Sequence, residues 1–301
     1  MTNSTSDGPN AGQQAFWSTG PGQHWVRLHR ELDTLHARLT DILLDAAAPR
    51  AGERVFDIGC GAGAVAIAAG QRVGPEGHVL GLDISAPLIE VGRDRARGMT
   101  CAPEFRVADA QTWAHQGAPF DLCVSRMGLM FFADPRAGFA NIQRHLRPGG
   151  RLVFAAWAAA EHNPWFDLAK RAAAERLGPS EPGDPHAPGP TAFADRTRVR
   201  ELLTEAGFED TQAHAVDTTL EVPGGSAEAA ALAQYIGPIP AQLRAKNGNE
   251  GDRAALLEHM RRAFSAYEDA DGCHIPARIN LFSATRPRAA LSPLPTASPL
   301  P

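Results

Sequence analysis

Positive charge is scarce in this chain. Lys170 and Lys246 are its lysines, and 29 basic residues face 34 acids for a net charge of −5. A dedicated nucleic-acid binder needs a basic stripe to neutralise phosphates, so that class is excluded. No run of 18 apolar residues occurs, which excludes a spanning helix. The N-terminus, MTNSTSDGPN, has neither a basic start nor an apolar stretch, so no secretory leader is expected and a cytoplasmic protein is. Cys60, Cys101, Cys123 and Cys273 form no C-x-x-C pair, so neither a disulfide framework nor a zinc site is expected.

What is present is an ordinary globular composition, 44% hydrophobic over 301 residues, enough to bury a substantial core. Leu28, Leu32, Leu35, Leu39, Ile42 and Leu43 recur at helical spacing and predict a helix over 25–48. Short apolar runs at 54–58, 78–82, 104–107, 120–125 and 151–157 then alternate with helical stretches ending near 73, 97 and 145. That alternation predicts a parallel sheet with helices on both faces. Beyond Trp157 the rhythm changes: a helix at 165–177, a Gly- and Pro-rich stretch over 178–190, and Asp195 as the N-cap of a short helix. Strands are expected near 211–222 and 277–285, with helices at 227–236 and 253–269 between them. Residues 1–20 are expected to be flexible, 21–286 to form one domain, and 287–301, rich in Pro, Ala and Ser, to be disordered.

The most informative stretch is Val55-Phe56-Asp57-Ile58-Gly59-Cys60-Gly61-Ala62-Gly63. Glycines at alternate positions after a strand let the backbone turn sharply and let a ligand approach where a Cβ would collide. Asp83 ends the next apolar run, where a carboxylate can accept both hydroxyls of a ribose. An adenosine-containing cofactor follows. Gly59-x-Gly61-x-x-Ala64 also fits a relaxed dinucleotide fingerprint, which keeps an NAD(P)-dependent oxidoreductase as an alternative. Asp57 speaks against it: a carboxylate there faces a pyrophosphate badly, but can hold the amino group of a methionyl moiety.

With these pieces in order, the sequence resembles the class I S-adenosylmethionine-dependent methyltransferases. The matching segments are Asp57–Gly63, Gly81-Leu82-Asp83-Ile84-Ser85, Ala108-Asp109-Ala110, Phe120-Asp121 and Leu146-Arg147-Pro148-Gly149-Gly150. The resemblance implies a Rossmann-like α/β fold: a seven-stranded sheet with its last strand antiparallel, an N-terminal helical lid, and a helical insertion before the last strand. The core would span about 50–160, with an acceptor-side cap at 161–195 and 224–270. Gly59, Gly61 and Gly63 would line the methionyl end of S-adenosylmethionine, Asp83 would hold the ribose, Ile84 would pack on the adenine, and Asp109 and Ala110 would meet its edge. Ser125, Arg126 and Met127 would lie under the sulfonium, and Trp25 would form a lid. Trp17, Gly22, Pro188-Gly189-Pro190 and Gly237-Pro238 are similar to a bacterial subgroup that methylates quinones and natural products.

One departure matters for mechanism. Relatives that methylate hydroxyls often carry histidine just after the fourth strand, whereas this chain has Met127-Gly128-Leu129-Met130-Phe131-Phe132. The candidate bases are therefore His162, after the fifth strand, and His24, in the first helical region. The Asn/Asp-Pro-Pro-aromatic motif of nucleic-acid amino-methyltransferases is missing after that strand, and no carboxylate cluster suggests a metal. The expected activity is methyl transfer to a small organic acceptor, on oxygen by default, aided mainly by proximity and desolvation. A non-catalytic module that only binds the cofactor is the other alternative. The expected partners are the acceptor and, as an open alternative, a second copy in a homodimer.

Overall fold

The structure, a computed structural model, describes residues 8–181 and 183–288. Its strands are β1 (Arg54–Ile58), β2 (His78–Asp83), β3 (Glu104–Val107), β4 (Phe120–Arg126), β5 (Leu146–Trp157), β6 (Glu209–Val222), β7 (Glu268–Asp269) and β8 (Gly272–Thr285). They form one sheet in the order β3-β2-β1-β4-β5-β8-β6, with two-residue β7 paired to β8. Strands β1 to β5 run parallel, and β8 is antiparallel to both β5 and β6. The expected seven strands and reversed last strand are therefore present, and β7 is a small eighth.

The helices are α1 (Ala11–Ser18), α2 (Gly20–Arg27), α3 (His29–Leu35), α4 (Ala37–Ala47), α5 (Ala64–Val73), α6 (Ala86–Ala96), α7 (Pro135–His145), α8 (Pro164–Leu177), α9 (Arg196–Glu205), α10 (Gly225–Ala233), α11 (Pro238–Ala245) and α12 (Glu250–Phe264). None of the described helices is long and apolar enough to cross a membrane. Phe56, Phe120, Phe139, Phe154 and Phe282 fill one core region. Val55, Leu122, Val124 and Val153 pack with Leu43, Ala66 and Ala69 in a second. Side chains alternate across a strand, so near-continuous apolar runs such as Val55-Phe56 bury both faces.

Three expectations change. The single helix over 25–48 is three helices, because Leu28 (φ −101°, ψ 20°) and His36 (φ −106°, ψ 15°) leave helical geometry. Its stripe survives: Leu32, Leu35, Leu39 and Leu43 are buried. Part of the stretch 1–20 is ordered, since α1 forms and Asn10 before it is 4% exposed. Polar composition hid this because Asn10 is fixed by tertiary hydrogen bonds, not by local propensity. Helix α11 fills a stretch with no assigned element. Helix α12 starts at Asn249, whose side chain closes a capping box with Asp252. The expected disorder of 287–301 falls mostly outside the described residues.

Candidate active site

A cavity of about 510 Å³ opens at the C-terminal edge of the parallel strands. Ligands in open α/β sheets bind there because the loops following the strands converge. Its inner half is made by the turns after β1, β2 and β3, with Gly59, Gly61, Asp83, Ile84, Asp109 and Ala110 on the wall. Arg126 and Met127, at the end of β4, form the floor. The outer half is aromatic: Trp25, Trp157, Trp165, Phe166 and Tyr235.

The floor is tight for a steric reason. A Cβ on Gly59 (φ +66°) would lie 2.7 Å from the Cα of Gly128, so the β1 and β4 turns meet backbone to backbone. Ser125 ties them: its hydroxyl donates to the Ile58 carbonyl at 2.7 Å and accepts from the Gly128 N–H at 3.3 Å. At Gly61 (φ +54°) the opposite holds, since nothing lies within 4 Å of where its Cβ would stand. That space is a cradle a ligand can enter.

Asp83 accepts from the Gly61 N–H and the Ser85 N–H, both at 2.8 Å, and is 9% exposed. Burial raises its pKa, and those backbone donors pull it back toward the charged form. Asp109 accepts from Gln111 N–H at 2.9 Å and from the Asn10 amide at 2.9 and 3.0 Å. Its carboxylate is therefore shared with the segment before α1. Asp57 lies below the wall, 1% exposed, and among the described residues neither carboxylate oxygen has a partner at hydrogen-bond geometry, the Ala66 backbone N–H giving only a weak pull toward the charged form. Burial above all, then Asp83, pushes its pKa up to about 8, against the pull of Arg126. An unsatisfied buried carboxyl is costly, and a cationic or donor group nearby would relieve it.

His36 stands between the two halves. Its Nδ1 is 2.9 Å from the Leu32 carbonyl, which only accepts, so Nδ1 carries the proton and Nε2 is the acceptor. The ring stacks on Trp25 at 6.3 Å and leans on Trp157 at 6.1 Å. Burial, helped by Arg126, depresses its pKa to about 3, so the imidazole is neutral at physiological pH. His36 also lines the cavity.

The wall thus brings together Trp25, Gly59, Gly61, Asp83, Ile84, Asp109, Ala110, Arg126 and Met127 from the residues expected. Others fall elsewhere. Gly63 is the N-cap of α5 beneath Phe105, and Ser125 is the tie described above. His162 is exposed at the end of a short turn, Ala160–His162, and does not line the cavity. The turn directs Asn163 inward instead, where its side chain donates to the Ala159 and Arg278 carbonyls and accepts from the Arg278 N–H. His24 lies behind the wall, its ring 4.8 Å from that of Tyr235. Sequence reasoning missed His36, although it shares the stripe of Leu32, Leu35 and Leu39 and so had to be buried. Asn10 and Trp17, also on the wall, carried no such pattern.

Residues 55–150 match the family described as "Methyltransferase domain". Over that third of its length the chain is similar to this family. Nocamycin O-methyltransferase of Saccharothrix syringae is 38% identical over 112 residues, 36% of this chain and 40% of that one. The ubiquinone/menaquinone biosynthesis C-methyltransferase of Xylella fastidiosa is 31% identical over 149 residues, 48% of this chain and 59% of that one. The chain therefore spans well under two thirds of the length of these curated relatives. Phosphoethanolamine N-methyltransferase 2 of Haemonchus contortus, solved with phosphomonomethylethanolamine and S-adenosylhomocysteine, superposes with a TM-score of 0.52 at 19% identity. That match covers 83% of this chain and 53% of that one, and it establishes the fold of the domain.

Proposed function

We propose that the protein transfers a methyl group from S-adenosylmethionine to the oxygen of a small organic acceptor. The observation that carries this is one cavity joining a glycine cradle to an aromatic chamber, with a neutral histidine at the junction. The inner half suits the cofactor. Gly61 leaves open space, Asp83 can accept from ribose hydroxyls, and Ile84 and Ala110 offer an apolar face to an adenine. Asp57 and Arg126 present an acid and a cation suited to a zwitterionic methionyl end, with Asp57 acting from just below the wall. Bound there, S-adenosylmethionine supplies an activated methyl on a sulfonium.

The protein's own contribution is alignment and exclusion of water. Trp25, Trp157 and Phe166 wall the acceptor in, and α12 packs behind α8, with Phe264 stacked 5.6 Å from Trp165. His36 Nε2 accepts a hydrogen bond from the acceptor hydroxyl, turns an oxygen lone pair toward the methyl, and takes the proton as the new bond forms. A base whose free-state pKa is this low works by positioning more than by basicity. Relatives named for a natural product and for quinone synthesis support an acceptor of that general class.

The test uses methyl-labelled S-adenosylmethionine, purified protein, and a lysate split into small-molecule and macromolecular fractions. Label in the small fraction is expected. Label only in protein or RNA overturns the acceptor class. Tight S-adenosylhomocysteine binding with no transfer to any fraction marks a non-catalytic binding module instead.

A further inference from the structure

Acids and cations on the cavity wall differ in how far they are compensated. The acids on its wall are Asp33, Asp83 and Asp109, and each is engaged: Asp33 by Arg95, Asp83 by two backbone N–H groups, Asp109 by Asn10 and Gln111. The lysine and arginine side chains on the wall are Arg126, Lys170 and Arg244, and none has a carboxylate within 4 Å among the described residues. Lys170 lies one turn beyond buried Phe166 on α8, and Arg244 one turn beyond Pro240 on α11. Residues four apart share a helix face, so each cation stands at the outer end of an apolar strip that lines the chamber. Helices α8 and α11 pack against each other, which puts both strips on one side of the mouth. Arg27 adds to the field, its guanidinium 4.7 Å over the Tyr235 ring.

We infer that the acceptor is an apolar molecule carrying an anionic group, with its body in the aromatic chamber and its carboxylate, sulfonate or phosphate between Lys170 and Arg244. This rests on the reading that the outer half of the cavity holds the acceptor. A free anion would gain little from two solvated side chains. An anion tethered to an apolar body arrives with its entropy already lost, and there the two charges decide orientation.

The test compares two fluorescent probes of one shape class on the full chain saturated with S-adenosylhomocysteine. One is the anion 1-anilinonaphthalene-8-sulfonate, and the other is the uncharged N-phenyl-1-naphthylamine. The anion is expected to bind about tenfold tighter, and Lys170→Gln with Arg244→Gln to remove about that factor for the anion alone. Raising salt to about 0.2 M should weaken the anion in the wild type and not in the double variant. Phe166→Ala should weaken both probes alike, which locates them in the chamber. Equal binding of the two probes, no binding of the anion, or an equal loss of both in the double variant overturns the inference. Calorimetry with S-adenosylhomocysteine on the same proteins separates the two readings. No binding there overturns methyl transfer, while the probe preference still decides the charge of the occupant.

Discussion

The two halves of the cavity are built from different materials. The inner half uses backbone: turns after three parallel strands, glycines with positive φ, and carboxylates fixed by N–H donors at 2.8–2.9 Å. The outer half uses side chains: aromatics from α2, the end of β5, α8 and the turn before α11, with Lys170 and Arg244 beside them. Backbone geometry imposes strict local residue types, so the inner half permits one kind of ligand. Side-chain walls can be refilled without altering the fold, so on the proposed reading acceptor specificity resides in the outer half.

The sharpest way to break this division is to remove one group from each half and ask whether the other notices. Asp83→Ala should cost about 2–4 kcal/mol of S-adenosylhomocysteine affinity in calorimetry, because two charge-assisted hydrogen bonds disappear. Binding of an apolar probe in the chamber should stay the same. Gly59→Ala should lower stability by about 1–3 kcal/mol in denaturant melts, since its Cβ would press on Gly128 at 2.7 Å in a left-handed conformation.

On the acceptor side, His36→Gln should lower kcat by about ten- to a hundredfold with S-adenosylhomocysteine affinity unchanged. His162→Gln should alter neither. A rate loss in His162→Gln that exceeds the loss in His36→Gln would reverse the two assignments.

A smaller effect concerns proton linkage. In the free protein, Asp57 keeps its proton up to about pH 8. A ligand ammonium near it favours the carboxylate, so binding releases a proton at pH 7 and affinity rises with pH until about 8, by at most about tenfold per unit. Calorimetry in two buffers of different ionisation enthalpy reads that proton directly, and Asp57→Asn should abolish it. A pH-independent affinity in the wild type would separate Asp57 from the cofactor.

Legibility in the sequence follows the same division. The glycine turn, Asp83 and Asp109 were readable as neighbours because their types and spacings follow strand-turn-helix geometry, and the structure brings Gly59, Gly61, Asp83 and Asp109 onto one cavity wall. The parallel strands followed from the alternation of strands and helices, and the reversed last strand from the family resemblance, while their order in the sheet came only with the structure. His36 was half readable: its place in the Leu32–Leu39 stripe required burial, but the break in helix geometry that points it at the cavity is a tertiary effect. His162 is the converse case, placed by its turn outside the cavity wall. Its position just after β5 suited a base, yet the turn hands the inward place to Asn163. Lys170, Arg244 and Asn10 became visible only when helices distant in sequence were seen around one mouth.

The central claim is that the inner half is an S-adenosylmethionine site. Calorimetric titration of the purified chain with S-adenosylhomocysteine tests it most directly, with Asp83→Ala and NADH as controls. The account predicts one site per chain, a large loss in Asp83→Ala, and no heat with NADH. Binding of NADH with none of S-adenosylhomocysteine would contradict it and return the fold to the dinucleotide reading of its glycines.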